Sequence, residues 1–154
     1  MLQSFTLTLD SETVMQGDTL HAKLKQLNIA FDKDRGKPAL DANVDVIVKG
    51  HGDRARVETL TAKVNMQLPA LLDQPAILPG HGLTAGELTS VTSLDPGGKL
   101  DSTTLVQGLK SRNDLPLQLL EIKVGGQLND NGTFDVTAPV MTRGKSGESD
   151  LKIR

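Results

Sequence analysis

Apolar and polar residues alternate one by one along most of this chain of 154 residues. Phe5, Leu7 and Leu9 alternate with threonines, and the same pattern returns in segments 44–48 and 60–68. Successive side chains of a β-strand point to opposite faces of the sheet, so a period of two predicts strands with one apolar and one polar face. The 3.6-residue period of an amphipathic helix is nearly missing. The alternation therefore predicts an all-β fold.

Turn signals separate the alternating runs. DKDRGKP (32–38), DPGG (95–98) and NDNG (129–132) are rich in the residue types that favour turns. Two alternating runs joined by a short turn form an antiparallel hairpin. The sequence thus predicts one β-rich domain over residues 1–154. We expect an antiparallel meander of roughly eight to ten strands, curled into a groove or a sandwich.

The phase of the alternation slips by one residue within the second run. Apolar residues at 20, 22 and 24 are in phase, and those at 27, 29 and 31 follow in the opposite phase. Such a slip is the sequence signature of a β-bulge, where two residues oppose one on the neighbouring strand. We expect one bulge near Lys25 and Gln26 and another near Thr59, and both should help the sheet to twist and curl.

A short plug rich in leucine and proline interrupts the strands near the middle of the chain. Its sequence is PALLDQPAILPGHGL (69–83), in which Pro69 suits the first turn of a helix and Pro75 stops that helix about one turn later. This pattern predicts a short helical plug near 69–74. The plug segment 69–81 would join two weak repeats, 1–68 and 82–154, within the single domain.

Composition excludes several classes of binding protein. The net charge of −2 gives no electrostatic footprint for nucleic acid. Trp and Tyr are missing from the sequence, which disfavours a carbohydrate-binding module because such modules present aromatic platforms. The sequence has no Cys, so it supports neither disulfides nor thiolate chemistry.

The motifs of catalysis and cofactor binding are missing from the sequence. His51 and Asp53 are too few for a metal site, and the glycines that flank His51 favour a turn with positive φ. A phosphate-binding loop ending in GKS (144–146) would need glycine where Pro139 stands. The GxSxG motif of serine hydrolases is missing as well. We therefore expect no enzyme activity, no cofactor and no bound metal.

The plug and the strands around it follow a specific order. A strand runs into the leucine- and proline-rich segment in AKVNMQLPALLDQPAILPG (62–80). A GLxxGxL turn onto a long strand follows as Gly82-Leu83-Thr84-Ala85-Gly86-Glu87-Leu88. A strand, an NDNG turn, a second strand and a GKSG loop come further on. This order resembles the repeats of the AsmA-like family of bacterial envelope proteins, and the resemblance covers residues 55–154.

The resemblance implies a function as well as a fold. AsmA-like proteins are long, membrane-anchored periplasmic proteins whose β-grooves handle lipids between membranes. This chain would then be an excised portion of such a protein or an unusually short relative. It would bind or conduct lipid acyl chains and would meet a membrane only through an anchor in its parent. Neighbouring β-repeats, or a second copy, would pair with its sheet edges at 1–10 or 151–154.

The in-phase apolar residues are the candidate lining of such a groove. An acyl chain is flexible and featureless, so aliphatic side chains suffice to bind it. One alternative stays open, because the same residues could form the dry core of a β-sandwich in a structural or adhesion module of a surface or virion protein. The candidate lining residues are Val44, Val46, Val48, Leu60, Ala62, Val64, Leu88, Ile122, Val124, Phe134 and Val136.

Overall fold

The structure, a computed structural model, describes residues 4–31, 38–72, 82–112, 117–128, 134–144 and 147–153. Nine strands account for most of these residues. They are β1 (Phe5–Gln16), β2 (Thr19–Phe31), β3 (Leu40–Lys49), β4 (Arg56–Gln67), β5 (Leu83–Leu94), β6 (Lys99–Ser111), β7 (Leu117–Leu128), β8 (Phe134–Gly144) and β9 (Gly147–Ile153). One short helix, α1 (Leu68–Leu72), follows β4, and a 3₁₀ turn (Gly52–Arg54) lies between β3 and β4.

All nine strands belong to one antiparallel sheet. Their order in the sheet is their order in the chain, so each strand pairs with its sequence neighbours and the sheet stays open. The predicted all-β antiparallel meander with one short helix is confirmed. Strands β1 and β9 form the two edges of the sheet in the part of the chain that the structure describes. The part of the chain that the structure describes contains no second sheet packed on the first.

The turn at DPGG is built as its sequence predicts. The Asp95 carbonyl accepts the Gly98 N–H at 2.9 Å, and the Asp95 carboxylate accepts the Lys99 N–H at the same distance. These bonds close the β5–β6 hairpin. The other two predicted turns lie mainly outside the described residues (32–37 and 129–133), although the strands that flank them pair antiparallel.

Both predicted bulges are present. On β2, Leu24 pairs with Val44 and Leu27 pairs with Ala42, so two residues of β2 oppose one of β3. On β4 the extra residue is Glu58, directly before Thr59. Each bulge returns the following apolar residues to the face that the preceding ones occupy. The phase slip in the sequence therefore keeps one continuous apolar face.

The predicted plug begins with a short helix. Helix α1 has five residues, one of which is Pro69, and it contacts β5 and β4. The rest of the plug, 73–81, lies outside the described residues. Helices of the described segments lack the length and apolar character that a membrane span requires.

The sheet has little buried core. Among the described apolar residues only Phe31, Ala39 and Ala42 are buried. The chain exposes 10327 Å² of surface, whereas a compact protein of 16.4 kDa exposes about 7500 Å². The excess surface is what a single layer leaves uncovered when no second layer packs on its apolar side.

Candidate ligand-binding face

One row of paired residues crosses the apolar face from edge to edge. We call it the central row. Neighbouring strands lie about 4.8 Å apart, so the row spans about 38 Å. Every position in it except two is aliphatic, and none is charged. Its members, from β1 to β9, are Leu9, Leu27, Ala42, Val64, Ser90, Thr104, Ile122, Val140 and Leu151.

A second row runs beside the central row on the same face, and we call it the adjacent row. It is also uncharged, and its polar residues on the inner strands lie beside those of the central row. Its members, from β1 to β7, are Ser11, Leu24, Val44, Ala62, Thr92, Ser102 and Val124.

The candidate lining residues with described side chains occupy one face of the sheet. Val44 pairs with Ala62 and Val46 with Leu60, while Val64, Ile122 and Val124 belong to the two rows. The remaining members with described side chains are Val48, which pairs with Leu20, and Leu88, which pairs with Met66. Phe134 and Val136 pair with Leu128 and Gly126 in the backbone register. Their side chains lie outside the described part of the structure.

Sequence reasoning left out part of this face. The apolar residues of β2 and β6 share it with the candidate lining, because each of them pairs with a lining residue or with another apolar residue of the same face. Their alternation with other residues, which slips once at the β2 bulge, was the signal that could have found them. The residues are Leu20, Ala22, Leu24, Leu27, Ile29, Leu100 and Val106.

Side chains on the apolar face are only half-covered. The lining residues of β3, β4, β5 and β7 that the structure describes are intermediate in exposure. On the edge strand β1, Phe5, Leu7, Leu9 and Met15 are between 55% and 63% exposed. A contiguous apolar surface of this size on a protein marks a site for a partner, a ligand or a membrane.

Ion pairs gather on the opposite, polar face. The His21 imidazole lies 2.6 Å from the Asp45 carboxylate, and Lys23 lies 3.4 Å from the same group. The hydrogen bond from His21, with a further one from Lys23, lowers the pKa of Asp45. Lys25 pairs with Glu12 at 2.8 Å, which lowers the pKa of Glu12 and raises that of Lys25. The charges keep this face in water and leave the other for apolar contacts.

Helix α1 lies against the end of the sheet near the start of β5. Gly86 adopts φ +151°, and a Cβ atom added there would lie 2.8 Å from Leu109 Cδ2 and 3.5 Å from Leu68 Cδ1. A larger residue would push the Leu109 side chain away, whereas the Leu68 distance is an ordinary van der Waals contact. Gly86 thus permits the helix and β6 to approach this end of β5 closely.

The segment around His51 and its flanking glycines forms a turn. His51 precedes the 3₁₀ turn that contains Asp53, and both residues are exposed. Gly50 and Gly52 adopt positive φ, as the sequence predicted, and a Cβ at Gly50 would lie 2.5 Å from the Arg54 carbonyl oxygen. Within the described segments, no three His, Asp or Glu residues converge as metal ligands would.

A recess of about 410 Å³ lies beside the bulges of β5 and β6. Its lining is polar and consists of Gln67, Gly86, Glu87, Gln107 and Gly108. Glu87 is the one titratable residue in this lining, so the recess offers no pair of groups for acid–base or nucleophilic chemistry.

No family model, curated protein or solved structure matches this chain. Its function has to be argued from the geometry of the two faces.

Proposed function

We propose that the chain is a non-catalytic β-groove segment whose apolar face binds or conducts lipid acyl chains. One observation carries the proposal: an uncharged, mainly aliphatic face extends from β1 to β8 and has no covering layer among the described residues. An ordinary sheet of this width buries such a face against helices or another sheet. A bound acyl chain supplies the missing apolar contacts.

The energetics favour a ligand without specific polar groups along its length. Each aliphatic side chain that becomes fully buried contributes about 1.5–3 kcal/mol. The valines and leucines of the two rows are only half-covered in the sheet, so a ligand that buries them further gains part of that free energy. A flexible alkyl chain laid along a row would contact one side chain about every 4.8 Å.

The open edges support the wider context of the proposal. Among the described strands, β1 and β9 each lack a neighbour on one side, so the sheet can continue into further strands at both ends. Such continuation is what the AsmA-like resemblance implies for a segment of a longer periplasmic groove. We therefore place this chain, as a proposal, in the bacterial envelope beside neighbouring β-repeats.

The test introduces a charge on each face. Val46→Asp and Val124→Asp place a carboxylate on the apolar face, in β3 and β7. Thr103→Asp is the matched control, because Thr103 is exposed on the polar face and pairs with Lys123. The chain is purified without detergent, its fold is checked by circular dichroism, and bound lipid is detected by native mass spectrometry.

The expected result separates a groove from a dry core. The wild type and Thr103→Asp should carry acyl lipid, and the two apolar-face variants should fold but lose it. If both apolar-face variants unfold and the wild type carries no lipid, the face is the core of an assembly and the proposal is wrong. A lipid-free dimer would identify a second copy of the chain as the occupant.

A further inference from the structure

Four hydroxyl side chains interrupt the aliphatic lining at the centre of the sheet. The Oγ atom of Ser90 lies 2.9 Å from Oγ1 of Thr104, and Oγ1 of Thr92 lies 2.8 Å from Oγ of Ser102. Both pairs bridge β5 and β6 and are partly buried. We call these four residues the hydroxyl block.

Aliphatic residues surround the hydroxyl block within its rows. In the central row, Val64 pairs with Ser90 on one side and Ile122 pairs with Thr104 on the other. In the adjacent row, Ala62 and Val124 hold the corresponding positions. The block is therefore a polar island that divides the face into an aliphatic arm over β1–β4 and a second arm over β7 and β8.

The hydroxyl block retains hydrogen-bonding capacity. Each Ser or Thr hydroxyl has one proton to donate, so a pair of hydroxyls has two protons and their mutual bond uses one. The second proton of each pair is free to point toward an occupant of the face. A saturated hydrocarbon laid over the block would leave these donors without an acceptor, which costs affinity.

The charge of the surroundings narrows the choice of acceptor. A phosphate is best held by Arg or Lys, because charged donors form the stronger bonds. Neither row contains a cationic residue. Lys23 and Lys25 form their ion pairs on the opposite, polar face, with Asp45 of β3 and Glu12 of β1 respectively. An uncharged carbonyl oxygen suits two neutral hydroxyl donors in an apolar setting.

We propose that the apolar face selects ester-linked lipids, with the ester carbonyl oxygens accepting hydrogen bonds from the hydroxyl block and the acyl chains lying on the aliphatic arms. This inference rests on the proposed function, because it specifies the ligand class of the same face. It assigns Ser90, Thr92, Ser102 and Thr104 a role in ligand specificity that an apolar lining does not supply.

The experiment compares two lipids that differ only at the linkage. Dipalmitoyl phosphatidylcholine has two ester carbonyls, and its diether counterpart with two hexadecyl chains has none. The folded chain is incubated with an equimolar mixture, and the ratio of bound diester to bound diether is read by native mass spectrometry. One or two additional hydrogen bonds should give the wild type a preference for the diester of about fivefold.

Variants locate the preference on the sheet. Replacing the block by Ser90→Ala, Thr92→Val, Ser102→Ala and Thr104→Val together should bring the ratio of bound diester to bound diether close to one. If the quadruple variant does not fold, the Ser90→Ala/Thr104→Val and Thr92→Val/Ser102→Ala double variants should each lower the ratio. The control Ser93→Ala/Thr103→Val removes hydroxyls from the polar face of the same strands and should keep the wild-type ratio.

The outcomes separate this inference from the proposed function. A wild type that binds both lipids equally, or block variants that keep the preference, would overturn the ester assignment while leaving acyl binding in place. A wild type that binds neither lipid would overturn both.

Discussion

Leu24 and Leu27 lie on the same face of the sheet although two residues, rather than one, separate them along β2. Their partners on β3, Val44 and Ala42, are two residues apart, so the extra residue of β2 is absorbed in a bulge. The pairing of β2 with β1 shows the same shift, since it passes directly from Gln26 to Leu24. The bulge thereby keeps both halves of β2 on the apolar face.

This geometry predicts which single deletion β2 tolerates. Deleting Lys25 removes the residue that the pairing with β1 skips and leaves the other pairs on both sides in register, so the chain should fold with a small loss of stability, part of it from the exposed Lys25–Glu12 ion pair. Deleting Asn28 instead leaves the bulge and turns Ile29 and Phe31 to the polar face. Phe31 is only 7% exposed, and each buried apolar side chain that is lost costs about 1.5–3 kcal/mol.

Urea unfolding monitored by circular dichroism measures both deletions. The free energy of unfolding should fall much further for the Asn28 deletion than for the Lys25 deletion. Equal losses would mean that the strand shifts its register freely, and the bulge would then have no role in holding the apolar face together.

The bulge also shows how far local sequence pattern reaches. The slip between Leu24 and Leu27 is visible in the sequence because alternation is a property of one strand. The sequence does not show what covers the apolar face, because the strands of an open groove and those of a sandwich core have the same period of two. The hydroxyl block was missed for a related reason. Ser90 and Thr104 are 14 residues apart and meet only through the register of the β5–β6 hairpin.

Gly86 should tolerate no side chain. Its φ of +151° disfavours any residue with a Cβ, and an added Cβ would lie 2.8 Å from Leu109 Cδ2. Gly86→Ala should therefore lower the free energy of unfolding by about 1–3 kcal/mol. Gly125→Ala is the control, because a Cβ there meets Thr137 Oγ1 at an ordinary 3.7 Å and alanine favours a strand over glycine. Thermal or urea unfolding of both variants checks the difference, and equal destabilisation would contradict the packing described at α1.

The ion pair between His21 and Asp45 predicts a dependence of stability on acid. The hydrogen bond from His21 lowers the pKa of Asp45 from its ordinary value of 3.8. The Asp45 carboxylate thus stabilises the folded state above that ordinary value, and the stabilisation is lost as the pH falls through the lower pKa of the folded state. Asp45→Asn should be less stable than the wild type at neutral pH, and the difference should shrink in acid.

Urea midpoints measured from neutral pH down to about pH 2 check this prediction. His21→Ala keeps Asp45 but removes its main hydrogen-bond donor, so that variant should also lose part of the acid dependence. A difference between wild type and Asp45→Asn that stays constant over the whole range would show that the contact has no effect in solution. Because both side chains are well exposed, we expect the effect to be small.

We expect the chain to self-associate through its edge strand β1. Within the described segments it pairs with β2 on one side only, and all of its residues are exposed. A long edge strand with apolar side chains on one face pairs readily with another strand, and a lysine on that edge opposes such pairing. Leu9 is 63% exposed, so Leu9→Lys should leave the fold intact while reducing self-association of the chain.

Val91→Lys is the control, because Val91 is 48% exposed on the polar face of the inner strand β5. Sedimentation velocity over a range of protein concentrations should show larger species for the wild type and Val91→Lys and a shift toward monomer for Leu9→Lys. A wild type that stays monomeric at every concentration, or a Leu9→Lys variant that associates as the wild type does, would exclude β1 as the contact.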